Sequence, residues 1–283
     1  MTVHPHAAAA SSPVAQGGWQ LAGNSADAYE RYLVPLIFAP MAERVLDLAG
    51  VQPADRVLDV GCGTGIVARR AAARVGPRGS VTGLDLNADM LKVARAVSEG
   101  SIPVIAWHPG DAARLPFEDG SFDVVTSQQA LQFMPEPATV VREVRRVLSD
   151  RGRVAIAVLR AIHHTPVYGP VAAALDRHAG PQAGAMMRSP FPSWDREHLR
   201  ALVSAGGFRG VQIRTEIGHV RFPSVEALLQ REAASSPLAT ALSSLEPRLW
   251  AALIRDLESN LGEFLDDDGI VFPMQTFVAL ARR

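Results

Sequence analysis

The chain has 283 residues, of which 48% are hydrophobic and 20% charged, and its formal net charge is −1. That length allows one large domain with a sizeable core, the composition excludes a disordered chain, and the near-neutral charge lacks the basic footprint of a nucleic-acid binder. A single cysteine, Cys62, excludes an internal disulfide framework and a cysteine-based zinc site, and it fits a reducing, cytoplasmic compartment.

The opening MTVHPHAAAASSPVAQGG has neither a basic stretch nor an apolar leader, and no later run approaches the roughly 20 apolar residues of a membrane span. Residues 1–25 read as a flexible tail, and 26–50 as an N-terminal helical annex. In the annex Tyr29, Leu33, Ile37, Met41, Val45 and Leu48 keep a helical stagger, with a kink or restart expected at Pro35 and Pro40. DRVLDVG (55–61) is then a short apolar strand running into glycines, and IVARRAAARVG is a helix closed by Gly76 and Pro77. SVTGLDL (80–86) gives the next strand, with Asn87 as N-cap of the following helix. PVIAWHPGDAARLPF, FDVVTSQ, the helix through ATVVREVRRVL and the strand RVAIAVL (153–159) continue the alternation. Five strands alternating with helices imply a parallel, doubly wound sheet over residues 51–160. Residues 161–283 hold the rest of the core, a strand near RGVQIRTEI and a closing strand GIVFPMQTFVALARR that pair like a hairpin. Helical caps are inserted around and between these strands.

The glycine turn GCGTG decides the ligand. A dinucleotide fingerprint needs a third small residue where Ile66 stands. Gly61, Gly63 and Gly65 are instead preceded by Asp59, whose carboxylate would repel a pyrophosphate by roughly 4 kcal/mol at about 4 Å and an effective dielectric of about 20. A ligand carrying an ammonium and a sulfonium suits the site: Asp59 attracts the ammonium, or else simply caps the loop, while glycine backbone approaches closely. Asp85, at the end of the second strand, is placed to take both hydroxyls of a ribose. In the GDA stretch, Gly110, Asp111 and Ala112, the aspartate can accept from the exocyclic amine of adenine. Together these describe adenosine with an amino-acid tail.

In order and spacing, VLDVGCGTG, GLDLNADML, GDAARLPFEDGSFDVV, LQFMPEPATVVREVRRVL and RGRV resemble the successive motifs of class I S-adenosylmethionine-dependent methyltransferases. The branch resembled is that of the ubiquinone and menaquinone C-methyltransferases and their small-molecule relatives, over about residues 55–160. The resemblance implies a seven-stranded, mostly parallel Rossmann-like sheet with S-adenosylmethionine as cofactor. It lays the turn from Gly61 to Gly65 against the methionine portion, Asp85 on the ribose and Asp111 on the adenine, with Leu86 and Met90 near the base. It sets Ser127, Gln128 and Phe133 beside the sulfonium. Relatives often carry histidine where Gln132 stands, so no catalytic role is transferred to it. Cys62 is expected to pack or make a backbone contact within the turn.

His163 and His164 stand just beyond the fifth strand, where a general base and an ordinary loop histidine are both possible readings. They lack the companions of a metal site. Tyr32 or Tyr29 closes the crevice with a hydroxyl on acceptor or cofactor, or packs a helix. His219, Arg221 and Phe222 either border an acceptor pocket or are structural, and the stripe from Leu249 to Leu261 suits core or a dimer contact. The expected activity is methyl transfer to the carbon or oxygen of an apolar small molecule enclosed by the caps, in natural-product metabolism, with a homo-oligomer left open. A nonmethyl reaction on the same fold, such as cyclisation, and a noncatalytic cofactor-binding partner are the rivals.

Overall fold

The computed structural model describes residues 24–283; the first 23 residues of the expected tail lie outside the described region. The chain opens with α1 (Asn24–Ala28), a π-helical segment (Tyr29–Phe38) and α2 (Ala39–Ala49), joined end to end. The restart expected near the prolines takes the form of a change of winding, without a non-helical residue between the segments. Pro35 sits inside the wide π turn, and Pro40 stands in the first turn of α2, where the winding passes from π to α.

Then follow β1 (Arg56–Val60), α3 (Ile66–Val75), β2 (Ser80–Asp85), α4 (Ala88–Val97), β3 (Ala106–Pro109), β4 (Phe122–Gln128), α5 (Pro137–Val147) and β5 (Leu148–Leu159). Asn87 caps α4 as its sequence position indicates, its side chain accepting from the Asp89 and Met90 amides at 2.9 and 3.2 Å. The cap region supplies α6 (Tyr168–His178), α7 (Pro181–Arg188) and α8 (Arg196–Ala205) before β6 (Arg209–Phe222). After it come α9 (Val225–Ser235), α10 (Ala239–Ser243), α11 (Pro247–Asn260), β7 (Leu265–Asp266) and β8 (Gly269–Arg282).

The sheet runs β3-β2-β1-β4-β5-β8-β6. Pairings among β1 to β5 are parallel, and β8 is antiparallel to both β5 and β6. The seven expected strands are joined by an eighth: β7, two residues long, is connected to β8 by a turn at Asp267 and Asp268, and Gly269, with a φ of +118°, opens β8. Strand order reverses between β1 and β4, which opens a crevice at their carboxyl ends.

Alternation along the strands builds the two faces. Val57, Val124 and Ala155 pack on α2 and α3, whereas Leu58, Val125 and Ile156 pack on α5 and α8. A third core lies beyond the carboxyl edge. β8 pairs with β5 only as far as Thr276; from Gln275 to Val271 it pairs with β6 alone, and at Ile270 β7 joins on its other edge. Phe222 and Phe272 on this overhang stack at 6.4 Å and join Leu175, Leu228, Leu253 and Leu257 of the cap helices, with Leu33 and Ile37 of the π segment. The crevice is thus roofed by helices with a core of their own. Among the described residues, no helix is long and apolar enough to cross a membrane.

Candidate active site

A cavity of about 790 Å³ runs from the glycine turn to the cap core, within the size range of sites that enclose a small ligand. At its sheet end, the Gly61 and Cys62 amides both donate to the Leu84 carbonyl, at 2.8 and 3.0 Å, which bends the turn over the tip of β2. Gly61 has a φ of +68°, and a Cβ there would lie 2.5 Å from Ala130 Cβ, so only glycine lets the turn close on the β4 tip. Gly63, also left-handed, has open space in front of it.

Asp85 ties this turn to the next strand. Its Oδ2 accepts from the Gly63 amide at 2.7 Å and its Oδ1 from the Asn87 amide at 2.8 Å. Each carboxylate oxygen keeps a lone pair for a further donor such as a ribose hydroxyl. Burial pushes its pKa up, and the Asn87 and Gly63 amides pull it back.

Asp59 lies beneath the turn, almost wholly buried, because the parallel register sets it beside Thr126, whose hydroxyl donates to its Oδ1 at 3.0 Å. Oδ2 has no hydrogen-bond partner. Burial raises the Asp59 pKa to about 7 despite the Thr126 bond, as expected for a carboxylate lacking a cation.

Leu86 is 65% exposed at the rim, an apolar residue left open beside Met90, Gly110, Asp111 and Ala112. Asp111 Oδ1 accepts from the Ala113 amide at 2.9 Å. Gln128 and Phe133 line the cavity, and Gln128 Nε2 donates to the Phe38 carbonyl at 3.0 Å, fastening the annex to the β4 tip. An Arg69–Glu30 ion pair at 2.6 Å fastens it to α3.

Several expected residues lie elsewhere. Ser127 is buried but does not line the cavity, since neighbouring strand residues point to opposite faces and Gln128 takes the inward one. Gly65 is not in the lining either. A Cβ on it would stand 2.2 Å from the Trp107 ring, and the same indole covers Gly83, so Gly65 is small in order to seat a tryptophan. Tyr32 is outside: its ring lies between Arg31 and Arg231, at 5.7 and 5.8 Å, while Tyr29 lines the cavity. In a π turn closed by i→i+5 bonds, three residues fall well short of a full turn, so Tyr32 is rotated away from the face of Tyr29. His163 is exposed and lies against His164, ring centroids 4.0 Å apart and tilted by 47°, and His164 Nε2 pairs with Arg160 at 2.7 Å outside the cavity. Arg221 pairs with Asp266, Phe222 belongs to the cap core, and His219 borders a separate cavity of about 320 Å³. Leu253, Leu257 and Leu261 are core.

Other residues enter the site without a motif to announce them. Gln129 lines the cavity with a left-handed φ of +51°, a strain that for a non-glycine residue is concentrated at functional sites. At the cap end, Tyr168 donates to Glu232 Oε1 at 2.6 Å, both side chains buried and both in the lining. Burial lifts the Glu232 pKa to about 7 against the Tyr168 bond, and burial beside Glu232 lifts that of Tyr168. The signal in the sequence was a carboxylate on an apolar stripe: Val225, Leu228, Leu229, Glu232 and Ser235 all sit on the buried face of α9.

A methyltransferase-domain family matches residues 58–156. The chain is 32% identical over 189 residues to the demethylmenaquinone methyltransferase of Staphylococcus aureus, covering 63% of this chain and 78% of that protein. It is 38% identical over 120 residues to the nocamycin O-methyltransferase of Saccharothrix syringae, and this match spans 42% of the chain and 43% of that relative. Among solved structures it is similar to a Haemonchus contortus phosphoethanolamine N-methyltransferase in complex with phosphomonomethylethanolamine and S-adenosylhomocysteine. That likeness has a TM-score of 0.58 at 21% identity, over 92% of this chain and 57% of that one. Fold and sequence together define a class I, Rossmann-like methyltransferase. The chain belongs to the methyltransferase family, and its Haemonchus contortus structural neighbours are solved with S-adenosylhomocysteine or S-adenosylmethionine bound.

The residues present fit S-adenosylmethionine. The unpartnered Asp59 oxygen is an acceptor for an ammonium, the open face of Gly63 admits a main chain without side-chain collision, and the exposed Leu86 offers an apolar seat for a base.

Proposed function

We propose that the protein transfers the methyl group of S-adenosylmethionine to the carbon or oxygen of an apolar small molecule in natural-product metabolism. The observation that carries this reading is the continuity of the cavity. It begins at the turn and Asp85 and ends among Leu33, Ile37, Met187, Phe191 and Met274, an apolar chamber closed by the annex and the cap. We assign Asp59, Gly61, Cys62, Gly63, Asp85, Leu86, Met90, Gly110, Asp111, Ala112, Gln128 and Phe133 to the cofactor end. The aromatic ring of Tyr29 lines its annex side.

Bound S-adenosylmethionine supplies a methyl group already activated by the positive sulfur. What remains for the protein is to align the acceptor and exclude water. The turn and Asp85 fix the position of the cofactor, Gln128 and Phe133 border the reacting region from the β4 tip, and the roofing helices keep bulk water out. Supplying the protein with methyl-labelled S-adenosylmethionine and a low-molecular-weight extract of its source should yield S-adenosylhomocysteine and a product heavier by one CH2 unit. Failure to bind the cofactor in a calorimetric titration overturns the reading.

A further inference from the structure

Glu232 and Tyr168 are 64 residues apart in sequence, on two cap helices, yet they meet through a 2.6 Å hydrogen bond inside the cavity. A carboxyl on the buried face of a helix costs stability unless something compensates it, and no cation pairs with Glu232 among the described residues. Its surroundings hold charges, all engaged elsewhere. On α9 itself, Arg231 lies over the Tyr32 and Phe222 rings and Glu226 accepts from Trp250 and Gln230. Arg177 and His178 of α6 both bind Asp256 of α11, Arg221 of β6 binds Asp266, and Glu30 of the π segment binds Arg69. One helical turn beyond Glu232, Ser235 lines the same cavity with its hydroxyl buried and without a partner. A hydrogen-bonded carboxyl and an orphaned hydroxyl on one face of an otherwise apolar chamber describe a place for a polar group of the acceptor.

We propose that Glu232 is the proton acceptor for a hydroxyl-bearing methyl acceptor, an alcohol, phenol or enol, with Tyr168 holding the carboxylate in position and Ser235 as a second hydrogen-bonding point. This rests on the methyl-transfer reading above and narrows it to oxygen. As the acceptor oxygen bonds to the methyl carbon, the carbon–sulfur bond breaks and its electron pair stays on sulfur. The hydroxyl proton passes to Glu232, so cationic cofactor, neutral alcohol and carboxylate become neutral thioether, methyl ether and carboxylic acid. A carboxyl that titrates close to neutrality suits this role.

The test uses the full chain saturated with S-adenosylhomocysteine and titrated calorimetrically with 2-naphthol, 2-methylnaphthalene and 2-naphthylmethylamine. At about pH 8 the naphthol should bind about tenfold or more tighter than the hydrocarbon, the scale of a hydrogen bond to an ionised group. At about pH 6, with Glu232 largely protonated, that advantage should shrink. Glu232→Gln should abolish both the advantage and its pH dependence while leaving S-adenosylhomocysteine affinity within about twofold. Tyr168→Phe should reduce the advantage without removing its pH dependence. Equal binding of naphthol and hydrocarbon, no naphthol binding, or an undiminished advantage in Glu232→Gln overturns the inference, and so does tighter binding of the amine. Loss of S-adenosylhomocysteine binding by the unaltered protein instead overturns the methyl-transfer reading.

Discussion

The two ends of the cavity are built from different materials. At the sheet end the surface is largely main chain: left-handed glycines, amides fixed by the Leu84 carbonyl, and two carboxyl groups, Asp59 held beside Thr126 by strand register and Asp85 held by the Gly63 and Asn87 amides. At the cap end it is side chain, contributed by helices α6, α7 and α9 and by the overhang of β8, with a single buried carboxyl among apolar neighbours. A main-chain surface cannot change its chemistry by substitution, whereas a side-chain surface can. One fold can therefore keep a fixed cofactor and vary its acceptor.

That contrast can be broken in several places. The largest effect is expected at Gly61. Gly61→Val puts a branched side chain into Ala130 at a left-handed φ, combining overpacking and backbone strain of roughly 3 kcal/mol or more. Calorimetry should register at least a hundredfold loss of S-adenosylhomocysteine affinity, with circular dichroism confirming that the helices remain. Asp85→Ala comes next. It deletes the acceptor for the ribose and frees the Gly63 amide, so cofactor affinity should fall about ten- to a hundredfold, the worth of hydrogen bonds to a charged group.

Glu232→Gln is expected to act on stability with the opposite sign. The Glu232 carboxyl has a folded-state pKa of about 7, above its ordinary value of 4.5. Between those values the folded chain holds more protons than the unfolded one, so this group's contribution to stability declines as pH rises through the window. The unligated Glu232→Gln variant should therefore gain on the order of 1–3 kcal/mol over the parent above about pH 7 and less near pH 5, read from urea melts at both. The smallest effects belong to residues outside the cavity: Tyr32→Phe and His163→Ala should each change cofactor affinity by less than about twofold, and a larger loss in either would return that residue to the site.

The same division explains what could be read from the chain. Gly61, Gly63, Asp85 and Asn87 occupy short runs where a strand ends and a helix begins, and the GDA stretch follows directly on the end of β3, so local spacing fixes where they fall. The parallel pairing of the first five strands agrees with their alternation with helices, except that the expected helix between β3 and β4 is replaced by the turns of residues 110–121. Gly65 also stands in that run, but its reason is Trp107, forty-two residues on and paired in through β2 and β3. Which of Tyr29 and Tyr32 faces the crevice depends on the π winding around Pro35, which turns Tyr32 away toward Arg31 and Arg231. The Tyr168–Glu232 pair needs two helices folded over the sheet edge, and nothing local in either announces the other. The trace it leaves is an acidic residue on an apolar stripe, which is visible in the sequence only when burial is taken seriously.

The central claim is that the turn between β1 and α3, with Asp59 beneath it and Asp85 beside it, is shaped for a sulfur-bearing adenosine with an amino-acid tail and against a diphosphate. Competition calorimetry with S-adenosylhomocysteine and NAD on the same sample measures this directly. The account predicts one saturable site for S-adenosylhomocysteine, weakened by Asp85→Ala, that NAD in large excess does not occupy. Displacement of S-adenosylhomocysteine by NAD at comparable concentration would contradict it.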